Sequence, residues 1–281
     1  MTEETLFVRQ PKGKEQNMQV RGVNLAVAVL GTGRPFIWAH GMTVSRAWEE
    51  EAGLFLWHGL ADILQIIRYD ARGHGASEAS YLAADYQWTN LAADMLGVAD
   101  AVGVTRFLAG GASMGCATAL YAALAAPERI NALFLVIPPR AWEERAGYAD
   151  LCDNLARTVE TQGLASLVSF FKESPIFPQF LLKAIPTLED LSLQHAAALH
   201  AGMVPALLRG VGLSNFPARD MLQTLTMPTL ILAWADDAVH PVSTAIELGR
   251  LLPQAHLHIA GSLKEVQEWP EVLREFVRQV L

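Results

Sequence analysis

Gly110-Gly111-Ala112-Ser113-Met114-Gly115-Cys116 is the stretch whose reading decides the fold. It follows the apolar run Arg106-Phe107-Leu108-Ala109 and opens an alanine-rich segment, residues 117–126. A Gly-x-Ser-x-Gly core between a strand-like and a helix-like stretch marks a sharp turn. Such a turn exposes the serine hydroxyl beside the first backbone N–H groups of the helix. Small residues on both sides are required because the turn leaves no room for bulky neighbours. The alternative is a tight structural turn with an incidental serine, so the rest of the chain has to decide.

Around this turn, short apolar runs alternate with helical periodicity. Strands are predicted at 5–10, 19–30, 35–39, 64–69, 106–109, 132–137, 229–234 and 255–260. Helices are predicted at 46–61, 91–102, 117–126, 243–252 and 265–280. Strands that read as continuous apolar runs, separated by helices, imply a mostly parallel sheet covered on both faces. From Arg140 to about Pro217 the pattern changes: strand-like runs stop, helix-like stretches follow one another, and Phe170, Phe171, Phe177 and Phe180 cluster. Residues 139–218 are therefore expected to form a helical cap insertion lying over the end of the sheet. Residues 1–138 and 219–281 form the core.

Composition narrows the function classes. The 281 residues are 52% hydrophobic and 18% charged, a globular balance. A net charge of −8 with no basic stretch argues against nucleic acid or an anionic membrane surface as partner. The acidic start Met1-Thr2-Glu3-Glu4 lacks the apolar core of a signal peptide. No apolar run reaches the ~18 residues of a membrane span, so a cytoplasmic protein is expected. Cys116 and Cys152 form no disulfide framework, and free thiols in a reducing compartment are the favoured reading over a single bridge. Histidines and acids show no metal-ligand spacing, so neither metal nor cofactor is expected. Arginine exceeds lysine and alanine is abundant, as in GC-rich bacterial genomes.

Four motifs stand in a fixed order: His40-Gly41 after the third strand, Asp70-x-Arg72-Gly73-His74-Gly75-x-Ser77 after the fourth, Gly111-x-Ser113-x-Gly115 after the fifth, and Asp237-x-x-x-Pro241 after the penultimate one. In this order the chain resembles the α/β-hydrolase superfamily over essentially its whole length. The likeness is to the lactonase, esterase and C–C hydrolase branch often described as enol-lactonase-like. The resemblance implies an α/β-hydrolase fold with a mostly parallel eight-stranded sheet flanked by helices. It implies Ser113 as nucleophile and the backbone N–H groups of Met42 and Met114 as the oxyanion hole. The family places its acid four residues before the proline, which selects Asp237 and leaves Asp236 as a solvated turn residue. His40 either joins the chemistry or braces the loop that positions Met42. The stretch Asp70–Ser77 reads as a structural turn, with His74 in a packing or hydrogen-bonding role.

The histidine departs from the pattern. The family carries Gly-His shortly before a Glu-x-Pro helix start, here Glu268-Trp269-Pro270, and the usual spacing falls on Ser262-Leu263. No histidine follows residue 258, and the leucine side chain cannot accept a proton. His256 and His258 alternate along the last strand, and His58 lies far from the motifs. His195 and His200 lie in the insertion, within reach of the catalytic end. His240 stands three residues after Asp237, immediately before Pro241. Turn residues at i and i+3 lie within about 7 Å, so an Asp237–His240 pair from a single loop, facing Ser113, is one reading. The other is that His240 merely caps or packs the loop.

Two functions follow. The first is a serine hydrolase acting on a small ester, lactone or thioester through an acyl-enzyme on Ser113, with His240 as base and Asp237 as orienter. The second is a catalytically altered protein of this fold that binds a small apolar ligand or performs non-hydrolytic chemistry. Either way the expected partner is a small molecule. Leu181, Leu182, Met203, Leu207 and Leu208 favour a largely apolar pocket. Arg140 either holds a substrate carboxylate or is a solvated cap residue.

Overall fold

The computed structural model describes residues 13–55, 57–174 and 176–280. It begins with a hairpin, β1 (Lys14–Val20) and β2 (Val23–Leu30), followed by β3 (Arg34–Ala39), α1 (Arg46–Ala52), β4 (Leu64–Tyr69), α2 (Trp88–Ala101) and β5 (Phe107–Ala112). Then come α3 (Met114–Ala125) and β6 (Ile130–Val136). A helical run follows: α4 (Tyr148–Gln162), α5 (Leu164–Glu173), α6 (Gln179–Ala184), α7 (Thr187–Ala197), α8 (Val204–Gly212) and the short α9 (Arg219–Leu222). The chain closes with β7 (Thr229–Trp234), α10 (Val242–Leu251), β8 (Ala255–Ala260) and α11 (Leu263–Val280).

The eight strands form one sheet in the order β1-β2-β4-β3-β5-β6-β7-β8. β1 and β2 pair antiparallel, as do β2 and β4; every later pairing is parallel. The chain order reverses at β3, which lies between β4 and β5. That reversal opens a crevice at the carboxyl ends of the strands, where ligands of open α/β sheets bind. Central strands β5 and β7 are buried throughout, which is why they read as unbroken apolar runs.

Three sequence expectations need correction. The single strand 19–30 is broken by Arg21 and Gly22, both at positive φ (49° and 84°), and Val20 pairs with Val23 across them. This is the two-residue hairpin geometry, with arginine at a position that usually signals itself with asparagine or aspartate. The helix expected over 46–61 stops at Ala52, because Gly53 adopts φ 62° and returns its N–H to Glu49 O. The closing helix begins at Leu263, ahead of the Glu268-Trp269-Pro270 signal, which lies inside it. The strand expected at 5–10 falls outside the described residues.

Among the described residues of 139–218 there is no strand, in keeping with the helical pattern read there. α4 packs on α8, and Arg209 of α8 reaches Asp153 (2.8 Å) and Glu160 (2.5 Å) of α4. Buried Arg145 donates to Ser214 O (2.9 Å) and Val211 O (2.7 Å) and lies over the rings of Trp88 and Tyr148. Arg145 thereby ties this helical segment to α2 of the core. Cys116 and Cys152 are free, buried thiols. Among the described residues no helix is long and apolar enough to cross a membrane.

Candidate active site

Ser113 lies between β5 and α3 at φ 53°, ψ −112°, a conformation that L-residues adopt only when their surroundings enforce it. The enforcement is steric. A Cβ on Gly111 would sit 2.5 Å from the Gly115 backbone, and one on Gly115 would sit 2.1 Å from Ala39 O. Strand β5, the first turn of α3 and the end of β3 thus meet at a spacing only glycine permits. The Ser113 N–H is fixed by Val136 O at 3.0 Å, and the Ser113 carbonyl accepts the Cys116 N–H at 2.9 Å.

β3 delivers the neighbouring loop, His40 to Ser45. His40 is buried; its Nε2 accepts the Ala71 N–H at 2.9 Å, which leaves Nδ1 to carry the proton and donate to Gly41 O at 2.7 Å. Burial, with His74 nearby, pushes His40 down to about 4, so its ring is neutral at pH 7. The Gly41 carbonyl belongs to the same peptide unit as the Met42 N–H, and in a trans peptide the two point in opposite directions. His40 therefore holds that unit with the Met42 N–H directed away from itself. His74 holds the next unit, its Nε2 against Met42 O and its Nδ1 3.0 Å from Arg72 O. Asp70 accepts the backbone N–H of Arg46 (2.9 Å) and of Ala76 (3.1 Å), locking the two motif loops together. His40 and His74 are thus loop braces, as one of the sequence readings had it.

The loop after β7 supplies the rest. His240 Nε2 lies 2.9 Å from Ser113 Oγ, and His240 Nδ1 lies 2.7 Å from Asp237 Oδ2. Asp237 Oδ1 accepts the N–H groups of Val239 (2.7 Å) and His240 (3.0 Å), and Trp234 Nε1 donates to Oδ2 at 2.5 Å. Burial pushes the Asp237 carboxyl up, but the facing His240 and these hydrogen bonds outweigh it and hold the group below the usual carboxylate range. Asp236 is exposed, at φ 60° in the turn. Serine, imidazole and carboxylate thus stand in hydrogen-bonded sequence, the arrangement in which an imidazole removes a hydroxyl proton.

Arg140 braces the same loop, with Nε to Ala238 O (2.7 Å) and its N–H to Val239 O (3.2 Å). The remaining histidines stand elsewhere. His195 contacts Glu51 at 3.4 Å, His200 packs on Tyr81, and His256 and His258 are exposed on β8. Leu263 is the first residue of α11 and packs on the apolar layer beneath it.

Ser113 and His240 open into a cavity of about 540 Å³, and among the described residues its walls contain no aspartate or glutamate. Leu151, Leu155, Leu167, Phe170 and Phe171 supply its apolar side from α4 and α5. Of the five residues read as favouring an apolar pocket, Leu208 lines this wall while Leu181, Met203 and Leu207 are core; Phe170, Phe171 and Phe177 of the aromatic cluster line it as well. Among the described residues no three His, Cys, Asp or Glu side chains gather to hold a metal.

The sequence reading does not single out Trp234, which the chain presents as one more apolar residue at the end of β7.

The family model for the alpha/beta hydrolase fold matches residues 34–270. The chain belongs to that family. Among curated relatives it is 28% identical over 242 residues to a protein of Azorhizobium caulinodans named putative carbamate hydrolase RutD, covering 83% of this chain and 85% of the relative. It is 27% identical over 230 residues to 3-oxoadipate enol-lactonase 2 of Acinetobacter baylyi, covering 79% and 75%. In fold it is similar to a thermophilic esterase from Thermogutta terrifontis, with TM-score 0.81 at 22% identity over 95% of this chain and 99% of that one. The enol-lactonase from Burkholderia xenovorans LB400 gives TM-score 0.80 at 17% identity over 94% and 100%.

Proposed function

We propose that this α/β-hydrolase is a serine hydrolase that cleaves small, largely apolar esters, lactones or thioesters through an acyl-enzyme on Ser113. The reading rests above all on the contact between Ser113 Oγ and His240 Nε2, 2.9 Å, with Asp237 behind the ring. His240 takes the hydroxyl proton as Ser113 Oγ attacks the carbonyl carbon. The oxygen, now an oxyanion, is received by the N–H groups of Met42 and Met114. Each such donor is worth roughly 3–4 kcal/mol to the barrier. His240 returns the proton to the departing alkoxide or thiolate, and the acyl group stays on Ser113. Water then repeats the sequence, giving the acid and free serine. Asp237 holds the ring so that Nε2 faces Ser113, and it balances the charge that forms on the imidazole.

The cavity supports the substrate class. Its size suits a compact organic acyl or lactone group, and its mostly apolar described walls suit apolar matter, with Arg140 and Arg145 as the charged side chains among them. Residues 139–218 serve in this reading as the cap that closes over the substrate. The names of the relatives, carbamate hydrolase and enol-lactonase, belong to the same chemistry of carbonyl cleavage.

Incubation with p-nitrophenyl butyrate tests this. Turnover is expected, and intact-mass analysis after rapid acid quench is expected to show a butyryl adduct on Ser113 that is missing from Ser113→Ala. A protein that neither turns over nor acylates across acetyl to octanoyl esters contradicts the proposal.

A further inference from the structure

The Asp237 carboxylate is shared in an unusual way. Oδ1 is occupied by two backbone N–H groups, and Oδ2 receives both His240 Nδ1 (2.7 Å) and the indole N–H of Trp234 (2.5 Å). Trp234 is the last residue of β7, fully buried, and its ring is held from several sides. It stacks on Trp269 of α11 (6.0 Å, 19°), and it meets Phe177 (6.3 Å) and His240 (6.4 Å) edge to face. Burial alone does not force this hydrogen bond. The indole nitrogens of Trp48, Trp57 and Trp88 are equally buried and bond to no described residue. Trp234, Asp237 and His240 recur every third residue, so one seven-residue segment carries the ring, its orienting carboxylate and a second donor to the same oxygen.

We infer that Trp234 is a positioning residue that sets the basicity of His240 through the Asp237 oxygen they share. An N–H donated to Oδ2 stabilises the ionised carboxylate and takes up part of its negative charge. Less of that charge is left to stabilise the imidazolium. His240 still accepts the serine proton, and it surrenders that proton readily to the leaving group. The other groups around the ring are Ser113 from the start of α3, Asp237 on its own loop, Arg140 from the segment after β6, and exposed Asp236. Arg140 contacts the loop through Ala238 O and Val239 O. Removing one indole N–H leaves the Ser113 and Arg140 contacts in place and changes only the donors to Asp237 Oδ2. This inference rests on the Ser113–His240–Asp237 reading above, and its test has a readout that needs no activity.

Two replacements remove the donor: Trp234→Phe, and 3-benzothienylalanine at position 234, which keeps the bicyclic shape with sulfur in place of N–H. Two profiles are measured for each. One is the pH dependence of inactivation by a fluorophosphonate. The other is the NMR titration of the His240 ring, assigned by its loss in His240→Gln. The indole N–H bonds an ionised carboxylate, and its loss leaves more of that charge facing His240 Nδ1. Both midpoints are therefore expected to move upward by roughly 0.5–1 unit relative to wild type. A role in packing alone lowers the rate at every pH and leaves the midpoints in place. An unmoved His240 titration in the benzothienyl protein overturns the inference even if the rate falls. That substitution preserves shape, so it decides the matter where Trp234→Phe fails to fold. A wild-type protein that fails to label refutes the hydrolase reading instead, and the NMR titration still decides the role of Trp234.

Discussion

Two segments at the ends of neighbouring strands, 234–241 from the end of β7 and 260–270 from the end of β8, are built for different tasks. The first is a buried turn in which one carboxylate collects four donors and a histidine three residues further on faces Ser113. The second, where the family resemblance places the histidine, is a helix start. Ser262 Oγ accepts the Glu265 N–H at 3.3 Å, and the Glu265 carboxylate reaches back to the Gly261 N–H at 2.5 Å. The pair caps the helix start much as a capping box does, with the carboxylate on the N–H one residue before the cap. The helix it opens then runs through Pro270, which offers no N–H to the turn before it. The first segment is organised by polar pairing, the second by helix formation and apolar packing. The difference teaches that an imidazole can be delivered by local turn geometry as well as by a distant loop, because only its position relative to serine and carboxylate matters.

Substitutions can break this comparison. Ser113→Ala should lower ester turnover by at least about 10³-fold while leaving the urea midpoint near wild type, since the change removes one hydroxyl. Asp237→Asn should cost roughly 10²–10⁴-fold in kcat, because the amide presents its own N–H toward the ring and favours the wrong tautomer. Its effect on stability should depend on pH. The native carboxyl lies below the ordinary range, so its contribution is complete above the unfolded-state value and lost as pH falls through the native one. The destabilisation of Asp237→Asn relative to wild type, measured by urea unfolding, should therefore be largest near neutrality and shrink below about pH 4. The smallest effect is expected in the other segment. Ser262→Ala should lose about 1 kcal/mol of stability through the missing cap and leave turnover within about twofold. A large loss of turnover in Ser262→Ala would tie the second segment to the site and blur the contrast.

Much of this was legible in the chain. Buried parallel strands such as Thr229–Trp234 announce themselves as apolar runs, and Gly111-x-Ser113-x-Gly115 is written by a steric need that only small residues meet. Asp237 and His240 were readable as a pair because a turn brings i and i+3 together. Other features had no local signature. Arg21-Gly22 makes a hairpin turn without the usual asparagine or aspartate. The stop at Gly53 depends on a left-handed cap inside a stretch whose periodicity continues past it. Trp234 reads as one more core residue of β7, and only the fold turns its N–H toward Asp237. The cavity wall is likewise a tertiary property: Leu151, Leu155 and Leu167 face it, while Leu181 and Leu207 turn inward to the core.

The central claim is that His240 supplies the base and that the segment after β8 does not. It is tested most directly by the second-order rate of fluorophosphonate inactivation in wild type, His240→Gln and the double variant His240→Gln/Leu263→His. The account predicts rapid labelling of wild type at Ser113 and a fall of at least about 10³-fold in His240→Gln, with no recovery in the double variant. Labelling of His240→Gln at the wild-type rate would contradict it.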